Sequence, residues 1–263
     1  MDLGLHGHRA VITGGSRGIG FAVAEALAAE GAAVGLVARD AAGLAAAAER
    51  LGPRGVPVPV ATAMADVTDT HGLKRAVDDI ATALGGLDHL VANAGGTVGR
   101  GNLTTAGDGD FTATFALNAG HAAEFIRAGL PHLRAAGGGS VVIISSITGM
   151  RPAPRTAYAA AKAAEIHLAA TAAQELAPAG IRVNAVSPGS IMFPGGGWDT
   201  FQRDNPEDFA AFLASQFPFG RLGRLTEVAD VVAFLLSARA SWITGANIAV
   251  DGGQGYPSAR RFD

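Results

Sequence analysis

The stretch ITGGSRGIG, which runs from Ile12 to Gly20, places four glycines in nine residues directly after a short apolar run. Glycine loses more backbone freedom on folding than any other residue, so such a cluster needs a physical reason. A strand ending at Thr13, a turn through glycines and a helix from about Gly18 would direct backbone N–H groups and the positive end of a helix dipole toward an anion. The alternative is an ordinary tight turn between a strand and a helix. The spacing of Thr13, Gly14, Gly18 and Gly20 differs from both G-x-G-x-x-G and the Walker A loop.

The rest of the chain alternates short apolar runs with longer alanine-rich segments. Strands are predicted at Arg9–Thr13, Ala33–Ala38, Val56–Ala61, Leu87–Ala92, Ser140–Ser145, Arg182–Val186 and Asn247–Val250. Helices are predicted at Ile19–Glu30, Ala41–Leu51, His71–Leu84, Asp110–Ala135, Thr156–Ala177 and Glu227–Ser237. This alternation predicts an α/β fold with one domain over residues 1–263, a doubly wound parallel sheet of seven strands with helices on both faces. The region 190–220, rich in Pro, Gly and aromatic residues, is predicted to be an irregular loop with a function.

The composition excludes several classes of function. Of the 263 residues, 49% are hydrophobic and 16% are charged, as in a globular protein. The formal net charge is −3 without runs of like charge, so neither nucleic acid nor a membrane is an expected partner. The absence of cysteine excludes disulfides and cysteine nucleophiles, and the seven scattered histidines do not predict a metal site. Since neither a secretory signal nor a run of about 18 apolar residues is apparent, we expect a cytoplasmic location.

The segment YAAAK places Tyr158 and Lys162 four residues apart, on one face of a predicted helix. A neighbouring ammonium favours the phenolate form of tyrosine, which makes the phenol a general acid or base for a carbonyl or an alcohol. Taken alone, a Tyr and a Lys at this spacing could also be two surface side chains without a shared function.

The glycine turn and YAAAK are two of six motifs that follow one another in a set order. The other four are ANAGG (Ala92–Gly96), ISSITG (Ile144–Gly149), VNAVSPG (Val183–Gly189) and DGG (Asp251–Gly253). This set resembles the short-chain dehydrogenase/reductase family, of the type that includes the 3-oxoacyl-carrier-protein reductases, over nearly the whole chain. The resemblance implies a Rossmann-type fold and an NAD(P)-dependent oxidoreductase for a small carbonyl or alcohol substrate, with a substrate lid at about 190–220.

The resemblance also assigns the catalytic residues. Tyr158 would exchange the proton at the substrate oxygen, while Lys162 would favour the phenolate and hold the nicotinamide ribose. Asn118 would support a water and the lysine, although an asparagine in a helix also bonds to its own backbone. A serine would hold the substrate oxygen. The spacing to the tyrosine that is usual in the family selects Ser145, whereas the strand register selects Ser146, and we choose Ser146 because loops absorb deletions.

The cofactor residues surround four parts of a dinucleotide: the pyrophosphate, the adenine, the ribose and the nicotinamide. The residues so assigned are Gly14, Ser16, Arg17, Gly18, Ile19, Gly20, Arg39, Asp66, Val67, Asn93, Ala94, Gly95, Tyr158, Lys162, Pro188, Gly189 and Ile191. For Asp66, the alternative is a carboxylate that caps a turn or a helix start.

The choice between the two nicotinamide cofactors depends on the end of the second strand. NAD(H) calls for a carboxylate there, but the matching residue is Ala38. Arg39 and Arg17 suit a ribose 2′-phosphate instead, while Asp40 is interpreted as a helix N-cap. We therefore predict a preference for NADP(H), with NAD(H) as the alternative and solvated surface charges as the other interpretation of the two arginines.

The chain departs from the family pattern at Phe193, where many members have a threonine that reaches the cofactor amide. Apolar side chains surround this position: Met150, Met192, Trp198, Phe201, Phe212 and Phe217. They indicate a fairly apolar substrate, unless they only pack the lid onto the body. The alanine-rich helix with Tyr158 is small and apolar on several sides, which favours a homotetramer, as is common in the family, or a homodimer.

Two other classes of function compete with the reductase. One is a regulatory or sensor protein that binds NADP(H) without catalysis, although it would not need Tyr, Lys, Ser and Asn together. The other is a nucleotide-sugar epimerase or dehydratase, whose chains usually carry a larger C-terminal substrate domain.

Overall fold

A seven-stranded parallel sheet forms the centre of the protein in the computed structural model, which describes residues 2–52, 58–99 and 101–259. The strands in chain order are β1 (Arg9–Thr13), β2 (Ala33–Ala38), β3 (Val60–Met64), β4 (His89–Ala92), β5 (Gly139–Ile144), β6 (Ile181–Pro188), β7 (Ile191–Met192), β8 (Gly223–Arg224) and β9 (Asn247–Val250). The sheet order is β3-β2-β1-β4-β5-β6-β9, and β7 pairs with β8 in a separate parallel ladder. The predicted doubly wound sheet is therefore confirmed.

Helices cover both faces of this sheet, because parallel strands are linked by crossover helices. The described helices are α1 (Gly18–Ala29), α2 (Ala41–Leu51), α3 (Thr70–Leu84), α4 (Asp110–Phe115), α5 (His121–Ala135), α6 (Thr156–Leu176), α7 (Gly197–Asp204), α8 (Pro206–Gln216) and α9 (Leu225–Leu236). One apolar core joins α1, α2 and α9 to the sheet, and a second joins α3, α5 and α6 to its other face. None of these helices combines the length and the apolar character that a membrane crossing requires.

Most predicted elements begin and end within two residues of the observed ones, but the third strand does not. It was predicted at Val56–Ala61, whereas β3 runs from Val60 to Met64. Residues 56 and 57 lie outside the described part of the chain. The strand starts after Pro59 because proline has no N–H with which to continue a ladder.

The predicted helix from Asp110 to Ala135 is divided into α4 and α5 by a π-helical turn, Ala116–Gly120. At its centre lies Asn118, whose Nδ2 donates to the carbonyl of Thr114 at 2.6 Å. A π-turn inserts one extra residue into a helix and turns the following side chains, a feature frequent at functional sites. Hydrophobic periodicity cannot reveal it.

The region 190–220 is more regular than predicted, since it contains β7, α7 and α8. Its aromatic side chains form a third apolar cluster of their own. The rings of Trp198 and Phe212 stack with centroids 5.0 Å apart, while Phe201 and Phe217 meet these rings edge-on. In the structure these aromatic side chains pack on one another within the region 190–220.

Candidate active site

Many predicted site residues follow the carboxyl ends of the sheet strands, whereas Tyr158 and Lys162 lie on α6 and Asn118 lies in the π-turn. The order of the sheet reverses between β1 and β4, and the connections from these strands leave on opposite faces. This divergence opens a crevice, the usual ligand site of a doubly wound sheet. The glycine turn borders the crevice on one side and α6 on the other.

The glycine turn has a backbone that only glycine adopts without strain at two positions, Gly14 with φ 64° and Gly18 with φ 57°. At Gly20 a Cβ would lie 2.4 Å from the carbonyl oxygen of Gly14 and 2.5 Å from Nδ2 of Asn93. The helix α1 begins here, and the side chain of its N-cap residue, Arg17, makes no capping hydrogen bond. The first-turn N–H groups of α1 are thus available to an anionic group, which fits a pyrophosphate.

The turn is fixed to β4 by a network around Thr13. Its Oγ1 accepts hydrogen bonds from the backbone N–H of Asn93 at 3.0 Å and of Ala94 at 3.2 Å. In return, Nδ2 of Asn93 donates to the carbonyls of Thr13 at 2.9 Å and Gly14 at 3.2 Å. Nε2 of His121 lies 2.9 Å from the same hydroxyl. Burial, together with the charge of Lys162, lowers the pKa of His121 to about 3, so this imidazole is neutral at physiological pH.

Lys162 is a buried cation beneath Tyr158. Its Nζ donates to the carbonyl of Ile144 at 2.9 Å and lies 5.6 Å from the centroid of the Tyr158 ring. It also forms an ion pair with Glu165, with 2.9 Å between Nζ and Oε2. Burial would lower the pKa of Lys162, but the charge of Glu165, the interaction with Tyr158 and the hydrogen bond to Glu165 together outweigh it, so that pKa is raised. Glu165 belongs to none of the sequence motifs and was not predicted. Its position three residues after Lys162 was nevertheless a local signal for an ion pair on one helix face.

Asn118 lies next to this lysine. Its Nδ2 donates to the carbonyl of Gly96 at 2.7 Å, and its Oδ1 accepts the N–H of the same residue at 3.1 Å. A Cβ on Gly95 would lie 2.6 Å from Oδ1 of Asn118 and 3.0 Å from Nζ of Lys162. The glycine therefore allows the loop after β4, the π-turn and α6 to converge on one point.

The two serines at the end of β5 differ in their surroundings. Ser145 is buried, and its Oγ donates to the carbonyl of Lys162 at 2.7 Å. Ser146 is half-buried, and its Oγ accepts the N–H of Thr148 at 3.2 Å at the start of a 3₁₀ turn. A Cβ on Gly149 would lie 2.6 Å from the carbonyl carbon of Lys162, so this turn packs directly on α6. Ser145 is thus committed to the α6 backbone.

A cavity of about 530 Å³ lies at the end of β2 and β3, on the side where adenosine is expected. Arg39, Asp66 and Arg75 line it. Asp66 accepts hydrogen bonds from the backbone N–H and the Oγ1 of Thr68, and these bonds lower its pKa. Asp40 accepts the N–H groups of residues 42 and 43, which confirms the predicted N-cap of α2. Arg75 was missed because it belongs to no motif.

The remaining predicted cofactor residues fall near the same crevice. Ser16 lies in the glycine turn, Ile19 in the first turn of α1, and Val67 is buried after β3. Pro188 ends β6, and a Cβ on Gly189 would lie 2.9 Å from Cα of Asp251.

Ile191 is buried at the start of β7, two residues before Phe193. The ring of Phe193 lies 3.4 Å from the Cβ position of Gly18, so the region after β7 touches the glycine turn.

Comparison with known proteins shows which family carries this arrangement. A family model described as enoyl-(acyl carrier protein) reductase matches residues 14–254. The chain is 39% identical to cis-4-hydroxycyclohexanecarboxylate dehydrogenase of Sinomonas cyclohexanicum over 93% of this chain and 95% of that protein.

Solved structures agree with the sequence relatives. L-sorbose reductase of Gluconobacter frateurii, complexed with NADPH and L-sorbose, has a TM-score of 0.90 and 34% identity over 97% of this chain and 98% of that one. A 7α-hydroxysteroid dehydrogenase complexed with NADH and 7-oxo glycochenodeoxycholic acid has a TM-score of 0.88 and 29% identity over 98% of both chains.

The chain therefore belongs to the short-chain dehydrogenase/reductase family, and the resemblance stated from its motifs is confirmed. Proteins of this family are oxidoreductases of CH–OH and C=O groups that use a nicotinamide dinucleotide, and this chain is such an enzyme.

The close contacts of Gly20 make its substitution costly. We expect Gly20→Ala to lower the free energy of unfolding by about 1–3 kcal/mol, because the new methyl group collides with backbone and with Asn93. Gly197→Ala is the matched control, since Gly197 also lies in the first turns of a helix but has nothing within 4 Å of its Cβ position. The control should change stability by less than about 1 kcal/mol in denaturant unfolding. Equal losses in both variants would contradict the close packing.

Proposed function

We propose that this enzyme is an NADP(H)-dependent reductase or dehydrogenase in which Tyr158 is the general acid and base. The observation that carries the proposal is the buried ammonium of Lys162, which lies 5.6 Å from the centroid of the Tyr158 ring on α6. A cation at this distance stabilises a phenolate. Tyr158 then gives a proton to the oxygen of a carbonyl during reduction, or takes one from an alcohol during oxidation.

The other polar groups position the substrate and the lysine. Ser146 holds the substrate oxygen by a hydrogen bond, a role supported by its partial exposure and by the engagement of Ser145 with the α6 backbone. Asn118 fixes the loop after β4 beside Nζ of Lys162. Together these groups hold the reacting oxygen near the phenol, and such orientation supplies much of the rate enhancement in two-reactant chemistry.

The residues around the crevice fit a dinucleotide. Gly14, Gly18 and Gly20 form the cradle for the pyrophosphate, and Lys162 holds the nicotinamide ribose. Asp66 and Val67 border the adenine, while Asn93, Ala94 and Gly95 lie along the adenosine ribose. When bound, the nicotinamide supplies or accepts the hydride.

The remaining assigned residues lie at the nicotinamide ring and at the phosphates of the cofactor. Pro188, Gly189 and Ile191 border the nicotinamide, and Ser16 and Ile19 lie beside the phosphates. Arg17 and Arg39 are exposed at the positions where a 2′-phosphate would lie, which supports NADP(H) over NAD(H).

The substrate in this proposal is a fairly apolar ketone or secondary alcohol, covered by a lid formed by residues 190–220. The lid aromatics are occupied with one another, so they do not carry this preference. Its support is Met150, which is 45% exposed after the turn that follows Ser146, and the alicyclic substrate named for the relative from Sinomonas cyclohexanicum.

The assembly in this proposal is a homotetramer, formed by the helices and the last strand. Ala160 and Ala163 present a small, exposed surface on α6. Trp242 is 98% exposed just before β9, which is an edge strand of the sheet. Exposed apolar side chains of this kind favour contact with another subunit. A cytoplasmic location belongs to the same proposal.

Tyr158→Phe tests the reductase directly. We expect it to lower kcat by at least about 10²-fold, because the general acid and base is lost, while NADPH binding is retained. Oxidation of NADPH and NADH should be followed with a panel of alicyclic ketones that includes 4-oxocyclohexanecarboxylate, with ketoses, quinones and 3-oxoacyl thioesters as comparisons. Cofactor binding without turnover on the whole panel would favour the sensor, and full activity of the variant would refute the role of Tyr158.

The serine assignment is tested by a matched pair. Ser146→Ala should lower kcat by about 10²–10³-fold, because one hydrogen bond to the reacting oxygen is lost. Ser145→Ala should leave kcat within a few-fold and reduce stability by about 1 kcal/mol, since it removes the bond to the Lys162 carbonyl. The opposite pattern of kcat values would transfer the role to Ser145.

The cofactor preference is tested at Arg39. Loss of a charged hydrogen bond to a phosphate costs about 1.5–3 kcal/mol, so Arg39→Ala should raise the KM for NADPH about 10- to 100-fold and leave the KM for NADH nearly unchanged. Arg127→Ala, on the exposed face of α5, removes the same charge as a control. Equal effects on both cofactors would remove Arg39 from the 2′-phosphate site.

A further inference from the structure

Glu165 is a buried carboxylate for which the motifs assign no role. Its side chain is 2% exposed and that of Lys162 is 3% exposed. Oε2 and Oε1 of Glu165 lie 2.9 Å and 3.1 Å from Nζ of the lysine. Carboxylates are almost never buried to this degree unless they are paired, so the pair is a built feature of the helix.

The pair engages the hydrogen-bonding capacity of the lysine. An ammonium has three donors, and the described acceptors of Nζ are the carbonyl of Ile144 and the two oxygens of Glu165. The two oxygens belong to one carboxylate and can share a single N–H, so a donor remains for the ribose assigned to Lys162. The cation is therefore held toward β5 and toward its partner. The positive charge of Lys162 therefore acts on the rest of the site together with the negative charge of Glu165.

Few other groups share this environment. Tyr158 lies on the same helix, four residues before Lys162, whereas Glu165 lies three residues after it. Asn118 in the π-turn and His121 in α5 are the other polar neighbours. His121 is neutral at physiological pH, and the hydroxyl of Ser145, which directly follows β5, donates to the carbonyl of Lys162. Among the groups described around Nζ, the two charges are therefore those of Lys162 and Glu165.

Stability alone does not account for the pair. Replacing a buried ion pair by well-packed apolar residues is often neutral or stabilising, because both charges must leave water. Most neighbours of Glu165 on α6 are alanine, leucine or isoleucine, which pack without that penalty. The clearest effect of the Glu165 carboxylate is that it pairs with the ammonium of Lys162.

We propose that Glu165 is a positioning residue of the active site, which holds Lys162 against the Ile144 carbonyl and weakens the positive field that this lysine exerts on Tyr158. The inference deepens the proposed function, since it sets the pH at which the Tyr158 phenolate forms. An anion beside the cation partly cancels its field at a phenol several ångströms away. The phenolate then forms at a higher pH than it would beside Lys162 alone.

The test measures the ionisation of Tyr158 without relying on turnover. The chain has two tyrosines, so a Tyr256→Phe background leaves one phenol, whose ionisation is followed by ultraviolet absorbance in the full-length protein. Glu165→Gln removes the negative charge and should move the midpoint of tyrosinate formation to lower pH, by on the order of one pH unit. Glu165→Leu should move it in the same direction and serves if the amide variant does not fold.

Two controls separate charge from structure. Glu165→Asp keeps the charge and should stay closer to the parent midpoint than the neutral variants. Glu175→Gln, which removes the same charge at an exposed position on α6, should not move it. An unchanged or higher midpoint in both neutral variants would overturn the inference.

The same variants link the inference to catalysis. Alcohol oxidation needs the phenolate, so its rate rises with pH, and in Glu165→Gln this rise should shift to lower pH together with the tyrosinate midpoint. A shifted absorbance titration in a protein without turnover would support the electrostatic role of Glu165 and count against the proposed function. An unshifted titration in an active enzyme would overturn the electrostatic role of Glu165 and leave the proposed function intact.

Discussion

A cation buried inside the protein is the constraint around which this site is built. Removing an ammonium from water is costly unless acceptors replace the lost hydration. For Lys162 these acceptors are the carbonyl at the end of β5 and the carboxylate of Glu165. Lys162 can reach the carbonyl at the end of β5 only if α6 lies close to that strand. Gly149 permits this approach because a side chain there would collide with the backbone of Lys162. The loop after β4 is brought to the same ammonium by Gly95, at a distance that no other residue would allow.

The fold places these groups together because its strands run in parallel. Their carboxyl ends meet at one edge, and the reversal of order between β1 and β4 opens the crevice there. The network from Thr13 to Asn93 closes the base of this crevice, since it joins the ends of the two strands by side-chain and backbone bonds. The glycine turn is thereby joined to the loop after β4, which also approaches Lys162 on α6.

Features with a local signal were predictable from the sequence, and features that depend on contacts between distant segments were not. The alternating pattern and the order of the motifs predicted the sheet, the family and the clustering of Tyr158 with Lys162. Nothing local showed the π-turn at Asn118, because its cause is a side chain that bonds to a distant loop as well as to its own helix. The helices α7 and α8 were missed for a related reason, since their aromatic residues pack mainly on one another rather than on the sheet. Glu165 has a local signal, but its meaning depends on a burial that only the fold provides.

The departure from the family pattern at Phe193 has a physical counterpart in the packing of the glycine turn. A threonine at this position would offer a hydroxyl, whereas the ring of Phe193 lies in van der Waals contact distance of the Cβ position of Gly18 and also covers Gly196 at the start of α7. The segment that leads into α7 and the glycine turn thus pack against each other. Separating this ring from the glycine turn would expose it to water, at a cost that scales with its apolar area. The apolar contact therefore joins the segment before α7 to the glycine turn, an interaction that a small polar residue would not provide.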